Sequence, residues 1–315
     1  MTLVSIPANP VPEDAVTGTL KTADGVSLRF ARWPPPRGRK GTVCLFQGRA
    51  EFIEKYFETV RDLRARGFAV ATLDWRGQGF SERALRNGRK GHVRDFSSYD
   101  IDLETFVNEV VLPDCPPPVF ALAHSMGAAI LLRAVYQGRR WFDRMVLLAP
   151  MVALPGLRSS RLTRIGVKIV RLIGLGSSCV PDGDASVIIQ RPFIGNRLTS
   201  DPVRYARNMA VLEAGPALAV GWPTVAWTNS AFRAMLQLQD PNFPLKIRQP
   251  MLIIAAGNDQ VVSTPAIDEF AIKLRAGSHL IVPGSRHELL MERDRFRQRV
   301  LAAFDAFVPG TPMFD

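Results

Sequence analysis

Apolar residues along the chain follow two rhythms. Short runs dense in β-branched, aromatic and aliphatic residues predict buried strands: "TVCLFQG" (42–48), "FAVATLDW" (68–75), "PVFALAH" (118–124), "RMVLLAP" (144–150), "QPMLIIAAGND" (249–259) and "SHLIVPG" (278–284). Between them, apolar residues three and four apart predict helices. "EFIEKYFETVRDLRARG" (51–67) closes on Gly67, and "SSYDIDLETFVNEVVL" (97–112) opens with a serine cap and an acidic first turn. "MGAAILLRAVYQG" (126–138), "TPAIDEFAIKLRAG" (264–277, with proline in its first turn) and "RDRFRQRVLAAFDAFV" (293–308) complete the set. Upstream, "GTLKTADGVSLRFARW" (18–33) reads as two strands turning at Asp24-Gly25. Residues 1–17 are dotted with proline and read as loose.

Strand–helix alternation of this kind predicts an α/β fold, a mostly parallel central sheet covered by helices on both faces. The alternation stops after 150 and resumes near 249. The expected organisation is therefore a core made of 1–150 and 246–315, with 151–245 inserted as a helical lid (cap). Neither repeats nor low-complexity tracts interrupt the chain.

Composition narrows the class. With 315 residues, 47% hydrophobic and 22% charged, the chain has ample apolar mass for a sizeable core. A net charge of +11 favours anionic partners. The arginines are spread out, without a basic tail or a basic run interleaved with aromatics, so nucleic acid is not expected as a partner. Cys44, Cys115 and Cys179 show neither CxxC spacing nor an even count, which points away from a disulfide framework or a zinc site. The first residues lack a basic stretch followed by an apolar run, and the longest apolar stretch (145–157) carries two prolines. The expected compartment is the cytoplasm, with the inner membrane face as a peripheral location.

The chemistry gathers at the carboxyl ends of the predicted strands. Ser125 follows "PVFALAH", Asp259 follows "MLIIAAGN" and His287 follows "HLIVPGSR". A serine hydroxyl needs a base to activate it and a third group to orient that base. The order Ser, Asp, His, each on a loop after a strand, suits that task on an α/β sheet. A serine at a helix start is also a common N-cap, and only the two partners lift Ser125 above that reading. Rival residues fit less well. His124 adjoins Ser125, and neighbouring side chains on such a turn are expected to diverge. His92 lies in a glycine-flanked loop and suits a structural hydrogen bond; His279 opens a strand at the surface. Asp268 falls inside a helix and Asp240 inside the lid. "DWRGQGFSER" lacks the third glycine of a dinucleotide fingerprint and the lysine of a P-loop. Its glycines are expected to shape a tight loop, with Asp74 and Arg76 paired as support.

Six segments together resemble the lysophospholipase and monoacylglycerol lipase branch of the α/β hydrolases: "FQGRAEFIEKY" (46–56), "LDWRGQGFSER" (73–83), "GHVRDFSSYDIDL" (91–103), "AHSMGAAI" (123–130), "AAGNDQVVS" (255–263) and "GSRHELLMERD" (284–294). The resemblance implies an α/β-hydrolase fold and a Ser-His-Asp triad working through an acyl-enzyme. Ser125 would attack an ester carbonyl, His287 would carry the proton, and Asp259 would hold the imidazole. It further implies an oxyanion hole from the backbone N–H groups of Arg49 and Met126. No metal or organic cofactor is called for. Two positions depart from the family pattern: Ala123 replaces the first glycine of G-x-S-x-G, and Gln47 replaces the histidine of H-G-x-x-E. Gln47 is expected to brace the loop from behind.

The expected substrate is a small-molecule acyl ester with a single acyl chain, lysophospholipid first and monoacylglycerol second. A broad carboxylesterase or a peptidase on the same scaffold is the alternative; a non-catalytic lipid-binding protein would be expected to have lost part of the triad. Serine at 125 speaks against dehalogenase and epoxide-hydrolase chemistry, which use an aspartate nucleophile there. One lid segment, "RSSRLTRIGVKIVRLIGLG" (158–176), sets Arg161, Arg164, Lys168 and Arg171 opposite Leu162, Ile165, Ile169, Val170, Leu172 and Ile173. Two readings stand for this helix. It contacts an anionic membrane, or it lays its apolar face on the core with its cations in solvent.

Overall fold

The computed structural model describes residues 2–36, 40–156, 161–180 and 192–308. Among the described residues, eight strands, numbered β1 to β8 along the chain, form one sheet in the spatial order Val16–Lys21, Ser27–Trp33, Ala69–Leu73, Thr42–Phe46, Val119–His124, Arg144–Leu148, Met251–Ala256 and Gly277–Val282. The first two, β1 (Val16–Lys21) and β2 (Ser27–Trp33), make the expected hairpin, with Gly25 at φ 83° in its turn. Strand β2 then pairs antiparallel with β4 (Ala69–Leu73). The remaining strands run parallel: β3 (Thr42–Phe46), β5 (Val119–His124), β6 (Arg144–Leu148), β7 (Met251–Ala256) and β8 (Gly277–Val282).

The central strands are apolar throughout because both faces are covered, and successive side chains point to opposite faces. Cys44, Phe46, Ala121, Ala123, Met145, Leu147, Ile253 and Ala255 enter one buried cluster. Their sequence neighbours Val43, Leu45, Phe120, Leu122, Val146, Leu148, Ile254 and Ala256 enter the other. The helices Ser97–Phe106 and Met126–Tyr136 cover the first face, with Leu103, Phe106, Ile130 and Leu131 buried there. Phe57–Ala65 and Asp294–Phe307 cover the second, through residues such as Phe57, Leu63, Val300 and Phe304.

Local details depart from the sequence reading. Ser97 is the first helical residue rather than the cap. Asp95 Oδ1 accepts from Ser97 N at 3.0 Å and from Ser97 Oγ at 2.9 Å, a carboxylate serving the open N–H groups of the first turn. The helix expected over 264–277 ends at Ala271, because Gly277 is already taken into β8 beside Met251. The N-terminal segment is tied down rather than loose. Val4 N donates to Glu54 Oε1 (3.1 Å), Asn9 Nδ2 to the Glu54 carbonyl (2.8 Å) and Trp33 Nε1 to the Pro12 carbonyl (3.2 Å).

Between β6 and β7 the chain forms the helices Arg161–Val170, Pro202–Ala214 and Val225–Leu238. Val225–Leu238 packs into the core, burying Trp227, Phe232, Met235 and Leu238 in the first cluster. Pro202–Ala214 is fastened by charge: Arg204 reaches Glu58 at 2.6 Å and Asp294 at 2.7 Å.

Candidate active site

Ser125 stands between β5 and the helix Met126–Tyr136 with φ 50° and ψ −109°. That conformation is costly for a residue with a Cβ and persists only where the surroundings enforce it. The enforcement is visible. Ser125 N donates to the Leu148 carbonyl at 2.9 Å, and the Ser125 carbonyl accepts from Ala129 N and Met151 N, each at 3.1 Å. A Cβ on Gly127 would lie 2.6 Å from the Gln47 carbonyl oxygen and 2.8 Å from that of Phe46, so the turn can press against the β3 loop only because residue 127 is glycine. Ala123, at the other small position, is buried without a comparable demand.

Three side chains far apart in the chain meet here. His287 Nε2 lies 3.0 Å from Ser125 Oγ, and His287 Nδ1 lies 2.7 Å from Asp259 Oδ2. The other carboxylate oxygen, Asp259 Oδ1, accepts from Val261 N at 2.7 Å and Val262 N at 3.0 Å. Those two amides aim Oδ2 at the imidazole. Burial pushes the Asp259 carboxyl upward, but its bonds to His287 and to the two amides outweigh it, and the group is held below the usual carboxylate range. An ionised, acceptor-only Asp259 fixes the proton of His287 on Nδ1 and leaves Nε2 to accept from the serine hydroxyl.

The loop after β3 closes the site. A Cβ on Gly48 would come within 3.2 Å of Ser125 Cβ, which measures how near this loop approaches the serine. The amides on either side of Arg49 are pinned: Gly48 N donates to Glu51 Oε2, and Ala50 N to Gln78 Oε1 at 2.9 Å. Gln47 braces the loop from behind, with Nε2 on Thr72 Oγ1 (2.9 Å) and its carbonyl accepting from Trp75 Nε1 (3.0 Å). Met126 opens its helix, so its N–H belongs to the first turn, where no carbonyl of the same helix reaches it. The Arg49 side chain runs to the Gly221 carbonyl at 3.0 Å, with its guanidinium 5.6 Å from the Trp227 ring centre.

The rival residues have other roles. His92 Nδ1 meets Thr224 Oγ1 at 3.0 Å, and His279 Nε2 pairs with Asp268 at 3.0 Å near the surface. Asp240 Oδ1 accepts from Asn242 N in an exposed turn. Two expectations fail. Asp74 and Arg76 do not pair with each other: Asp74 meets Arg29 at 2.6 Å, and Arg76 meets Asp24 and Asp102 at 2.6 and 2.7 Å. β4 ends at Leu73 and Arg76 already lies in the turn beyond it, so the shared face of an extended i, i+2 pair is lost and each side chain finds a different partner. His124 does not diverge from the site either. Its ring centre is 4.7 Å from that of His287. Sequence reasoning also passed over Glu51, Lys55 and Glu288, which are buried beside it; the glutamate of the 47–51 loop was the one signal available.

Farther out, the helix Arg161–Val170 and the turn Arg171–Leu175 cover most of the segment singled out at 158–176; residues 158–160 lie outside the described residues. Gly174 ends the helical path at φ 89°. Among the described residues, Val167 packs against the core, while Leu162 is 81% exposed and Ile165, Ile169, Leu172 and Ile173 are also exposed. Val167 lies on the basic side of the helix, roughly opposite Leu162 at about 100° per residue. The apolar stripe therefore faces outward. No helix among the described residues is long and apolar enough to cross a membrane.

A family model described as serine aminopeptidase, S33, matches residues 37–294. Lysophospholipase L2 of Escherichia coli strain K12 is 29% identical over 300 residues, covering 90% of this chain and 84% of that one. A monoacylglycerol lipase of Mycolicibacterium smegmatis is 27% identical over 277 residues, covering 86% and 89%. Among solved structures, a monoglyceride lipase from Saccharomyces cerevisiae in complex with a substrate analog superposes with a TM-score of 0.71 at 20% identity, covering 94% of this chain and 97% of that one.

Proposed function

We propose a serine carboxylic ester hydrolase, because this chain belongs to the serine aminopeptidase, S33, family of α/β hydrolases and carries a connected hydroxyl, imidazole and carboxylate. The observation that carries the reading is the row Ser125 Oγ, His287 Nε2, His287 Nδ1, Asp259 Oδ2, with contacts of 3.0 and 2.7 Å. In this reading Ser125 attacks the ester carbonyl as His287 takes its proton. The oxyanion is met by the N–H groups of Met126 and Arg49. His287 then protonates the departing alcohol, leaving Ser125 acylated. A water activated by the same imidazole releases the acid and restores the serine. Asp259 holds the tautomer and offsets the imidazolium that forms in each half-reaction.

For substrate we propose single-chain acyl lipids, lysophospholipid first and monoacylglycerol second. The relatives named lysophospholipase L2 and monoacylglycerol lipase support that choice. Residues 151–245 serve in this reading as the lid over the site. Its outward apolar stripe, flanked by Arg161, Arg164 and Lys168, would meet the anionic surface from which such lipids are drawn. The family description also keeps an amide reading in play, and one experiment separates the two. A fluorophosphonate probe labels wild type and spares Ser125→Ala. Lysophosphatidylethanolamine and monoolein are turned over with kcat/KM above that for an amino-acid amide. Equal labelling of both proteins refutes the nucleophile; preference for the amide refutes the ester assignment.

A further inference from the structure

Directly behind the catalytic ring lies a group of charges that the proposed reaction does not consume. Glu51, Lys55, His124 and Glu288 are all buried. Lys55 Nζ bridges the two carboxylates, at 2.8 Å from Glu51 Oε1 and 2.6 Å from Glu288 Oε1. Tyr56 Oη donates to Glu51 Oε2 at 2.7 Å, and Gly48 N donates to that same oxygen. His124 completes the group. Its Nδ1 lies 3.2 Å from Glu51 Oε2, and its Nε2 lies 3.2 Å from the main-chain carbonyl oxygen of His287.

Both partners of the His124 ring are acceptors only. A carboxylate and a peptide carbonyl have no proton to give, and a neutral imidazole has only one N–H. Satisfying both contacts requires a proton on each nitrogen. We infer that His124 is a resident imidazolium that positions His287, joining the main chain of the catalytic histidine to the carboxylate that holds the oxyanion loop. It is a positioning residue, since it touches neither the serine hydroxyl nor the reacting carbonyl.

The charge balance agrees. With His124 protonated, two cations face two anions. Without that proton, the group carries a net negative charge on the far side of the His124 ring, whose centre is 4.7 Å from that of His287, and would draw a proton onto the base. Burial acts to deprotonate His124, but the charges of Glu51 and Glu288 outweigh it, against the smaller opposing effect of Lys55, and its affinity for the proton is raised. Glu51 responds in kind. Burial would raise it, but Lys55 and His124 hold it well below the usual carboxylate range. The His287 ring also faces it; Tyr56 is neutral there, its ionisation pushed well up by burial and by Glu51.

The inference rests on the triad reading for its purpose but not for its test. Nitrogen-15 NMR of the Ser125→Ala protein, which needs no turnover, is expected to show two ring N–H signals for His124, with imidazolium shifts that persist above the pH at which an ordinary histidine gives up its proton. One ring N–H, or neutral-tautomer shifts near pH 7, overturns the assignment. In active enzyme, His124→Gln removes the cation and keeps one donor. The acid limb of its kcat/KM profile is expected to move up by about one pH unit or more, a change that loosened packing alone would not produce. An unmoved limb overturns the positioning role; should His124→Gln fail to fold, the NMR result alone decides. Failure of fluorophosphonate labelling would sink the hydrolase reading and leave the protonation state of His124 standing.

Discussion

At Ser125 the sequence and the backbone make one demand. A φ of 50° aims the hydroxyl at His287 while helix and β3 loop close around it. The two small positions around it are unequal. Gly127→Ala puts a methyl against the Gln47 and Phe46 carbonyl oxygens, so the loop after β3 must retreat. The expected outcome is a loss of kcat of about 100-fold or more, with the far-ultraviolet dichroism unchanged, since misplacement of a donor by about 1 Å is enough for that loss. Wild-type turnover in this variant would mean that the loop does not take part. Ala123→Gly is the contrast, expected to leave kcat within about twofold, because the alanine methyl already fits in the buried cluster. Ser125, Asp259 and His287 were legible in the sequence because each lies on a turn or short loop past an expected strand, and the strand ends bring the three within contact distance. His124 was not legible. Which way a side chain leaves such a turn is decided by φ at the next residue and by the distant Glu51, neither of which the local pattern records.

Elements were legible where burial is two-sided. β3, β5, β6 and β7 are almost wholly apolar and lie within two or three residues of the expected spans. The N-terminal segment was misread because proline spacing carries no information about Glu54 or Trp33, which tie it down. Charge fastens other elements just as invisibly. Glu58, on the helix Phe57–Ala65, binds Arg204 and Arg207 of the helix Pro202–Ala214. Burial would raise its pKa, but Arg204, Arg297 and Arg207 lower it from 4.5 to about 2. A carboxyl depressed in this way contributes stability that is complete above 4.5 and lost as pH falls towards about 2. Glu58→Gln is therefore expected to lower Tm at neutral pH, and the wild-type and variant curves of Tm against pH should converge in that acid window. A constant gap down to pH about 2 would mean that the ionised carboxylate is not what fastens the helix.

Across the whole molecule, one buried cation joins three distant pieces of chain. Arg29 of β2 donates to Glu54 Oε1 and Oε2 at 2.7 and 2.8 Å and to Asp74 Oδ2 at 2.7 Å, all three side chains being shut off from solvent. Glu54 holds the N-terminal segment, and Asp74 receives Ile53 N and Phe80 N. Arg29→Met keeps the bulk and strands two carboxylates, which is expected to cost about 3–5 kcal/mol. Denaturant unfolding would measure it; a loss below about 1 kcal/mol would mean that the two acids take up protons without strain.

The outward stripe of the helix Arg161–Val170 is also a property of the whole molecule, because it depends on which side of the helix the core accepts. The core takes Val167 and leaves Leu162, Ile165 and Ile169 in solvent. Exposed aliphatic side chains clustered beside cations are costly in water and favourable at an anionic lipid surface, where each buried side chain contributes about 1.5–3 kcal/mol. Wild type is expected to sediment with vesicles containing phosphatidylglycerol and to release as salt rises, since the cations supply the attraction. Leu162→Ser with Ile169→Ser should weaken that binding by about tenfold or more. Turnover of a short, water-soluble nitrophenyl ester should stay within about twofold, because neither side chain reaches the catalytic row. Vesicle binding indifferent to both substitutions would remove the membrane from the account, and the stripe would then have to cover some other surface.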